Sequence, residues 1–153
     1  MYQIDPRRRD IILEDLRLIT VESNEAERSV AVIGDLVKAI VDALLKAGKN
    51  ANFKAQNIYF DDGKKDFITD FELYENERLF HIVEAKGSTG LAGAKDQLEK
   101  QLLKSHCKHG CITDGYHWQF VMIEENKAKF DGMPFSLAFQ IDEIAAKIFS
   151  YLS

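Results

Sequence analysis

Asp70, Glu84 and Lys86 are the residues of this sequence whose types and spacing can do chemistry together. Leu79 to Lys86 reads as a strand, and Glu84 and Lys86 stand two apart on it, so their side chains share a face. In the preceding run Phe67, Thr69, Phe71 and Leu73 alternate with Ile68, Asp70 and Glu72, a period of two, and Glu75-Asn76-Glu77 reads as the hairpin turn between the runs. Strands joined by a tight turn are neighbours, which brings Asp70 beside Glu84. Two carboxylates and one ammonium then converge at the end of a hairpin. Hard oxygen donors of this kind suit Mg²⁺ or Mn²⁺, which keep waters available for chemistry. The bland alternative is an ion pair of Glu84, Lys86 and Asp70 at the sheet end. Charges that follow Leu79, Phe80, Ile82 and Val83 are costly unless they pair or bind metal.

The elements that must position these residues come in blocks. Val30, Ile33, Val37, Ile40, Val41 and Leu44 make one apolar stripe at helical spacing, so residues 24–47 read as a helix. Asn24 and Glu27 resemble a capping box at its start, and Ala47-Gly48 is its stop. Ile58 and Phe60 suggest a short first strand, followed by the turn Asp61-Asp62-Gly63. Leu91, Ala94, Leu98 and Leu102 return to helical spacing over residues 91–105. Cys111 to Thr113 and Trp118 to Ile123 read as strands around Asp114-Gly115, and Ile141, Ile144, Ala145, Ile148, Phe149 and Leu152 mark a final helix over 140–152. Residues 1–22, with Arg7, Arg8 and Arg9, read as a lead-in with a short helix, ahead of a domain over 23–153. The order is helix, three strands, helix, two strands, helix. It predicts an α/β fold with a mixed central sheet flanked by helices.

Asp70, thirteen intervening residues and then Glu84-Ala85-Lys86 at the end of an apolar strand resemble the motif of the PD-(D/E)XK nuclease superfamily. The surroundings agree: a helix carrying Glu25 precedes the strands, a helix with Gln97-Leu98-Glu99 follows, and Gly110 to Trp118 looks like the strand-turn-strand found there. Glu22-Ser23-Asn24-Glu25-Ala26 is most similar to the C-terminal nuclease-like domains of Crinkler-type effectors of fungi and oomycetes, and more distantly to N-terminal nuclease domains of type I restriction subunits. Thr69 stands where the motif's proline would be, and Lys65-Asp66-Phe67-Ile68 makes Asp66 a second candidate for the family aspartate. The distance from Asp70 to Glu84 fits the shorter hairpin.

The resemblance implies a restriction-endonuclease-like αβββαβ core with an extra C-terminal helix. It also implies a Mg²⁺- or Mn²⁺-dependent nuclease that hydrolyses phosphodiester bonds, with DNA as the expected substrate. Asp70, Glu84 and the Ala85 carbonyl would hold the metal. Glu25 would hold metal-bound water, Lys86 would orient water or stabilise the transition state, and Gln97 would position lysine, water or phosphate. The leaving group would be the 3′ oxygen. By analogy, cutting both strands calls for a second subunit, so a homodimer is one expected state. The alternative is an inert relative that keeps the fold and binds nucleic acid or a protein, since fold alone does not establish function. A structural domain with a fortuitous cluster is a third reading.

The remaining features are weighed against plainer roles. Lys100, Lys104 and Lys108 recur every four residues and, with Lys95, form either a phosphate-tracking ridge or a solvated helix face. Ser105-His106-Cys107-Lys108-His109-Gly110-Cys111 collects zinc-type ligands, but the spacing matches no usual finger and Cys111 opens a strand expected to be buried. Tyr116 and Trp118 serve either base stacking or packing. The chain has 153 residues, 46% hydrophobic and 29% charged, which excludes wholesale disorder and suits one domain. A formal net charge of −5 argues against a generic nucleic-acid coat. No apolar run is long enough to span a bilayer, the N-terminus lacks a signal-peptide pattern, and two cysteines make no disulfide framework. An intracellular setting, cytoplasmic or nuclear, is therefore expected.

Overall fold

The computed structural model describes residues 2–19, 24–86 and 91–152, with backbone alone at 25, 26, 29, 30, 91 and 92. Helix α1 (Pro6–Leu16) starts where proline is tolerated, and Asp5 caps it by accepting the Arg7 N–H at 2.8 Å. The expected capping box forms next: Glu27 N–H donates to Asn24 Oδ1 at 2.8 Å, and Asn24 N–H donates to Glu27 Oε2 at 3.1 Å. The helix expected over 24–47 is interrupted. It runs as α2 (Glu25–Arg28), a π-helical stretch (Ser29–Ile33) and α3 (Gly34–Lys46). A π-turn holds more residues than an α-turn and shifts the helical phase upstream of it. Arg28 lies on that upstream side, buried, and donates to the Asp114 carbonyl.

Among the described residues seven strands form one sheet: β1 (Ala51–Asp61), β2 (Lys64–Glu75), β3 (Arg78–Ala85), β4 (His109–Thr113), β5 (His117–Glu124), β6 (Lys127–Phe130) and β7 (Phe135–Ser136). The spatial order is β1-β2-β3-β4-β5-β6, with β7 beside β5. β3 and β4 are parallel, joined across α4 (Leu91–Ser105), and the other pairs are antiparallel. α5 (Leu137–Phe149) closes the chain. The sheet is covered on both faces. Ile12, Leu36, Ile40, Ile144 and Ile148 from α1, α3 and α5 pack with Val83, Cys111 and Phe120 on one side. Leu98 and Leu102 of α4 pack with Ile82, Ile112 and Val121 on the other. The mixed α/β fold predicted from the sequence is the one observed. No helix among the described residues is long and apolar enough to cross a membrane.

Several boundaries differ from the expectation. β1 is eleven residues long rather than a short piece around Ile58 and Phe60. Exposed Asn52, Lys54 and Gln56 alternate with Ala51, Phe53 and Ala55, a period-two signal that two small alanines leave faint. β6 and β7 were not expected. The β5–β6 turn uses Glu125 and Asn126, both at positive φ, where a glycine would have marked it. The last helix begins at Leu137, earlier than the expected 140, but its backbone breaks at Gln140 (φ −134°), where the side chain accepts the Ser136 N–H at 3.0 Å.

One glycine is needed where the two parallel strands meet. A Cβ on Gly110 would stand 2.8 Å from the Ile82 carbonyl oxygen and 3.2 Å from a Leu98 methyl. Gly110→Ala should therefore cost about 1–3 kcal/mol by forced displacement of β4. Thermal melting should show it at roughly 2–4 °C per kcal/mol. A second prediction concerns Asp35 on α3. Burial and the neighbouring Asp15 carboxyl of α1 push Asp35 up to about 6, against Lys38 and Arg8. The folded state thus holds an extra proton, and this group's contribution is lost as pH rises through about 6. Asp35→Asn should melt higher than the unaltered protein near pH 8, with the gap closing towards about pH 4.

Candidate active site at the end of the β2–β3 hairpin

The β2–β3 turn uses Asn76 and Glu77, both at positive φ, as tight hairpins of this hand require. From it the strands pair with Glu72 opposite Ile82 and Phe71 opposite Val83. One further step along that register sets Asp70 facing Glu84. Both lie on the α4 side of the sheet, because Ile82 packs under α4 and side chains alternate.

Asp70 Oδ2 accepts the Ala85 N–H at 2.8 Å, and Oδ1 accepts from Gln56 Nε2 at 3.1 Å. Burial lifts the Asp70 carboxyl above the ordinary carboxylate value, against the Ala85 N–H, the Gln56 amide, Lys86 and Glu84. Glu84 is 2% exposed. Its Oε1 lies 3.7 Å from Lys86 Nζ, which donates to Gln97 Oε1 of α4 at 2.7 Å. The Lys86 N–H donates to the Thr113 carbonyl at 2.8 Å, so the backbone of the lysine is tied to β4. Asp70, Glu84, Lys86 and Gln97 are thus brought together at the carboxyl end of β3. Ala85 is fully buried beneath them.

The other predicted residues are placed as follows. Glu25 opens α2, and its side chain lies outside the described residues. Lys100 pairs with Asp66 Oδ1 at 2.5 Å, and Lys104 reaches Asp66 Oδ2 at 3.4 Å and Asp61 at 3.7 Å. Asp66 is therefore engaged by α4 lysines, which hold its carboxyl below the usual value. The Lys95 ammonium stands 4.9 Å from the Phe130 ring centre. In the cysteine segment, Cys111 Sγ is 3.3 Å from His81 Nε2, and Cys107 donates to the His109 carbonyl at 3.4 Å. Burial pushes the Cys107 thiol up to about 11 and His81 down to about 3. Among the described residues no three His, Cys, Asp or Glu side chains gather as a metal centre. Trp118 is fully buried core.

Two contributors escaped the sequence reading. Gln56 has φ +54° and sits on β1 opposite Asp70, and nothing in its neighbourhood marks it. Glu72 is wholly buried two residues from Asp70. Its Oε1 accepts from Asn57 at 2.9 Å and Tyr74 at 2.5 Å, and its Oε2 from Tyr59 at 2.6 Å and Thr69 at 2.9 Å. The clue was present: tyrosine at 59 and 74, threonine at 69 and asparagine at 57 are the hydrogen-bond donors a buried carboxylate requires.

No family profile matches the chain, and none of the curated proteins matches it. A chain of the cryoEM structure of a DrdV–DNA complex is similar in structure, with a TM-score of 0.60 and 13% sequence identity. The likeness covers 96% of this chain and 14% of that one, so this chain spans a small part of its neighbour's length. At that identity the likeness is one of fold. The fold is restriction-endonuclease-like. Its αβββαβ core runs from the Asn24-capped helix through β1, β2, β3 and α4 to β4.

The site predicts its own strain. With the Asp70 carboxylate desolvated and raised, the ionised form costs stability that falls away as pH drops towards about 4. Asp70→Asn should melt higher than the unaltered protein in EDTA near pH 8, with the gap narrowing in acid. An equal or lower melting temperature throughout would mean that the carboxylate carries no such cost.

Proposed function

We propose that the chain is a metal-dependent phosphodiesterase that cuts DNA. The observation carrying this reading is the meeting of Asp70, Glu84, Lys86 and Gln97 at one sheet end, with a buried and a half-buried carboxylate beside an ammonium. The DNA bound in the DrdV complex supports DNA as the substrate class. The Crinkler-type and type I restriction resemblances belong to the same proposal.

The donor set fits Mg²⁺ or Mn²⁺. Facing carboxylates are hard oxygen donors, and a divalent cation held by them would offset the desolvation that raises Asp70. Asp70, Glu84 and the Ala85 carbonyl would hold it, with Glu25 contributing through water. A bound cation supplies a lowered pKa for an attacking water and neutralises charge on the phosphate. Lys86, with its Nζ on Gln97 and close to Glu84, would donate to an attacking water or to the phosphate oxygens as charge builds on them. Gln97 is a positioning residue, since its carbonyl oxygen fixes the ammonium. The 3′ oxygen leaves. Lys95 is available to a DNA backbone from its place over Phe130, whereas phosphates must displace Asp66 to reach Lys100 and Lys104. A second copy of the chain would serve the opposite strand.

A second reading keeps the fold and drops the chemistry, leaving an inert domain that binds nucleic acid or a protein. The Glu84–Lys86 ion pair and the Ala85 N–H on Asp70 favour it, because they offset these charges within the fold itself.

Plasmid nicking and linearisation separate the two. The purified protein should cut with Mn²⁺ or Mg²⁺ and not in EDTA, and Lys86→Ala should cut about a hundredfold slower or worse. If neither protein cuts single- or double-stranded DNA, the inert reading replaces the nuclease. Equal cutting by both proteins points to a contaminant and removes the support for catalysis.

A further inference from the structure

A second group of polar side chains stands at the same end of the sheet. The β4–β5 turn is built on Asp114. Its Oδ1 accepts the N–H groups of Tyr116 at 2.9 Å and His117 at 2.8 Å, and its Oδ2 lies 3.4 Å from His117 Nδ1. Buried Arg28 donates to the Asp114 carbonyl from behind, with its guanidinium 5.6 Å from the Tyr116 ring centre. The Tyr116 hydroxyl donates to the Ile19 carbonyl. The turn is thus tied to α2 and to the segment after α1, and it is held from several sides. Yet the His117 side chain is 69% exposed, against 24% for Asp114. A structural histidine would be expected to use its second nitrogen in the fold; this one presents it to solvent.

The register places that imidazole relative to the carboxylates. Ala85 pairs with Thr113, and Thr113 with Trp118, making one row across β3, β4 and β5. Lys86, Asp114 and His117 are the next row outward. Trp118 packs on the α5 side and Val121 on the α4 side, so alternation along β5 puts His117 on the α4 face, the face of Glu84 and Lys86. Two strand spacings separate β3 from β5, roughly 10 Å. That is too far for His117 to touch the atoms reacting at Lys86. It suits a group that holds a different phosphate of the same strand.

We propose that His117, oriented by Asp114, is a phosphate contact of the DNA backbone that flanks the phosphate held at Lys86. The inference rests on the nuclease-site reading above and deepens it by adding a binding residue outside the motif. With Nδ1 turned to the Asp114 carboxylate, Nε2 faces outward. The imidazolium form donates from both nitrogens and bridges the carboxylate to a phosphate oxygen. Asp114 is the positioning residue: it fixes the ring and both N–H groups of the turn. The contact is to backbone, so it adds affinity without sequence preference.

The test is fluorescence anisotropy with a short fluorescein-labelled duplex in EDTA, where cutting by the proposed mechanism stops. His117→Ala should bind about fivefold more weakly for every duplex sequence tried. The slope of log affinity against log salt should fall by about one. His117→Arg, a fixed cation, should restore both affinity and slope, which a role in holding the turn would not allow. If His117→Ala binds as the unaltered protein does, with the same salt slope, this contact is overturned while DNA binding by the domain stands. If His117→Arg fails to rescue a weakened His117→Ala, the phosphate role is overturned in favour of a structural one. If the unaltered protein binds no duplex at all, the DNA reading of the whole site falls, and this contact with it.

Discussion

Two carboxylates facing each other, one buried and one half-buried, form the constraint on which the rest of this structure depends. Asp70 and Glu84 lie on adjacent strands, where like charges directly opposite are destabilising. Burial adds to the penalty. The surroundings offset it with donors of several kinds. The Ala85 N–H and the Gln56 amide hold Asp70, while the Lys86 ammonium stands by Glu84 and is itself fixed by Gln97. These groups come from β1, from β3 and its exit, and from α4, whose Gln97 oxygen accepts from Lys86, so the pair survives only if three elements are held in register with β2.

The sheet supplies that register by unequal means on its two sides. Towards β4, β3 is tied through a parallel pairing close enough to need the absent side chain of Gly110. Towards β1, the tie is polar. Glu72 takes hydrogen bonds from Asn57 and Tyr59 of β1 and from Thr69 and Tyr74 of β2, giving a buried carboxylate four donors. A carboxylate so placed is stable only with all its donors, and sliding β1 along β2 would strip two of them at once. The register it fixes is the one that sets Gln56 against Asp70. A left-handed backbone at Gln56, uncommon for a residue with a side chain, is tolerated because the strand on either side of it is pinned.

What could be read from the sequence follows from how local its causes are. The Asn24–Glu27 cap, the Asp62-Gly63 turn and the period-two run into Asp70 each depend on residues a few positions apart, and each formed as read. The convergence of Asp70, Glu84 and Lys86 was legible because a tight hairpin turns sequence spacing into spatial adjacency. The π-helical stretch at Ser29–Ile33 was not legible, since Arg28 is drawn inward by a carbonyl on the β4–β5 turn, eighty-six positions away. β6 was hidden for a similar reason: its inward Ala128 N–H is satisfied by Glu99 of α4 at 2.7 Å rather than by a pattern of its own. Of the expected lysine ridge, Lys100 and Lys104 lie on α4, which ends at Ser105 before Lys108, and both meet Asp66, a partner thirty-odd residues away that helical spacing could not name.

The parallel pair explains why Lys86 and the Asp114–His117 turn stand at one end of the sheet. In an antiparallel sheet each end collects hairpin turns, which are short and satisfy their own backbone. A parallel pair instead sends two strands out in the same direction. β3 and β4 end at Ala85 and Thr113, and their exits must diverge, one towards α4 and one into the Asp114 turn. Ligands in α/β sheets bind where such exits part. Side chains there point into the gap rather than into a neighbouring strand. Lys86 takes the β3 exit and His117 lies beyond the β4 exit, on the same face and joined through the Thr113 carbonyl that anchors the lysine backbone. The β2–β3 hairpin sets the two carboxylates together, and the parallel β3–β4 pairing, tight at Gly110, brings Lys86 and the Asp114–His117 turn to the same end of the sheet.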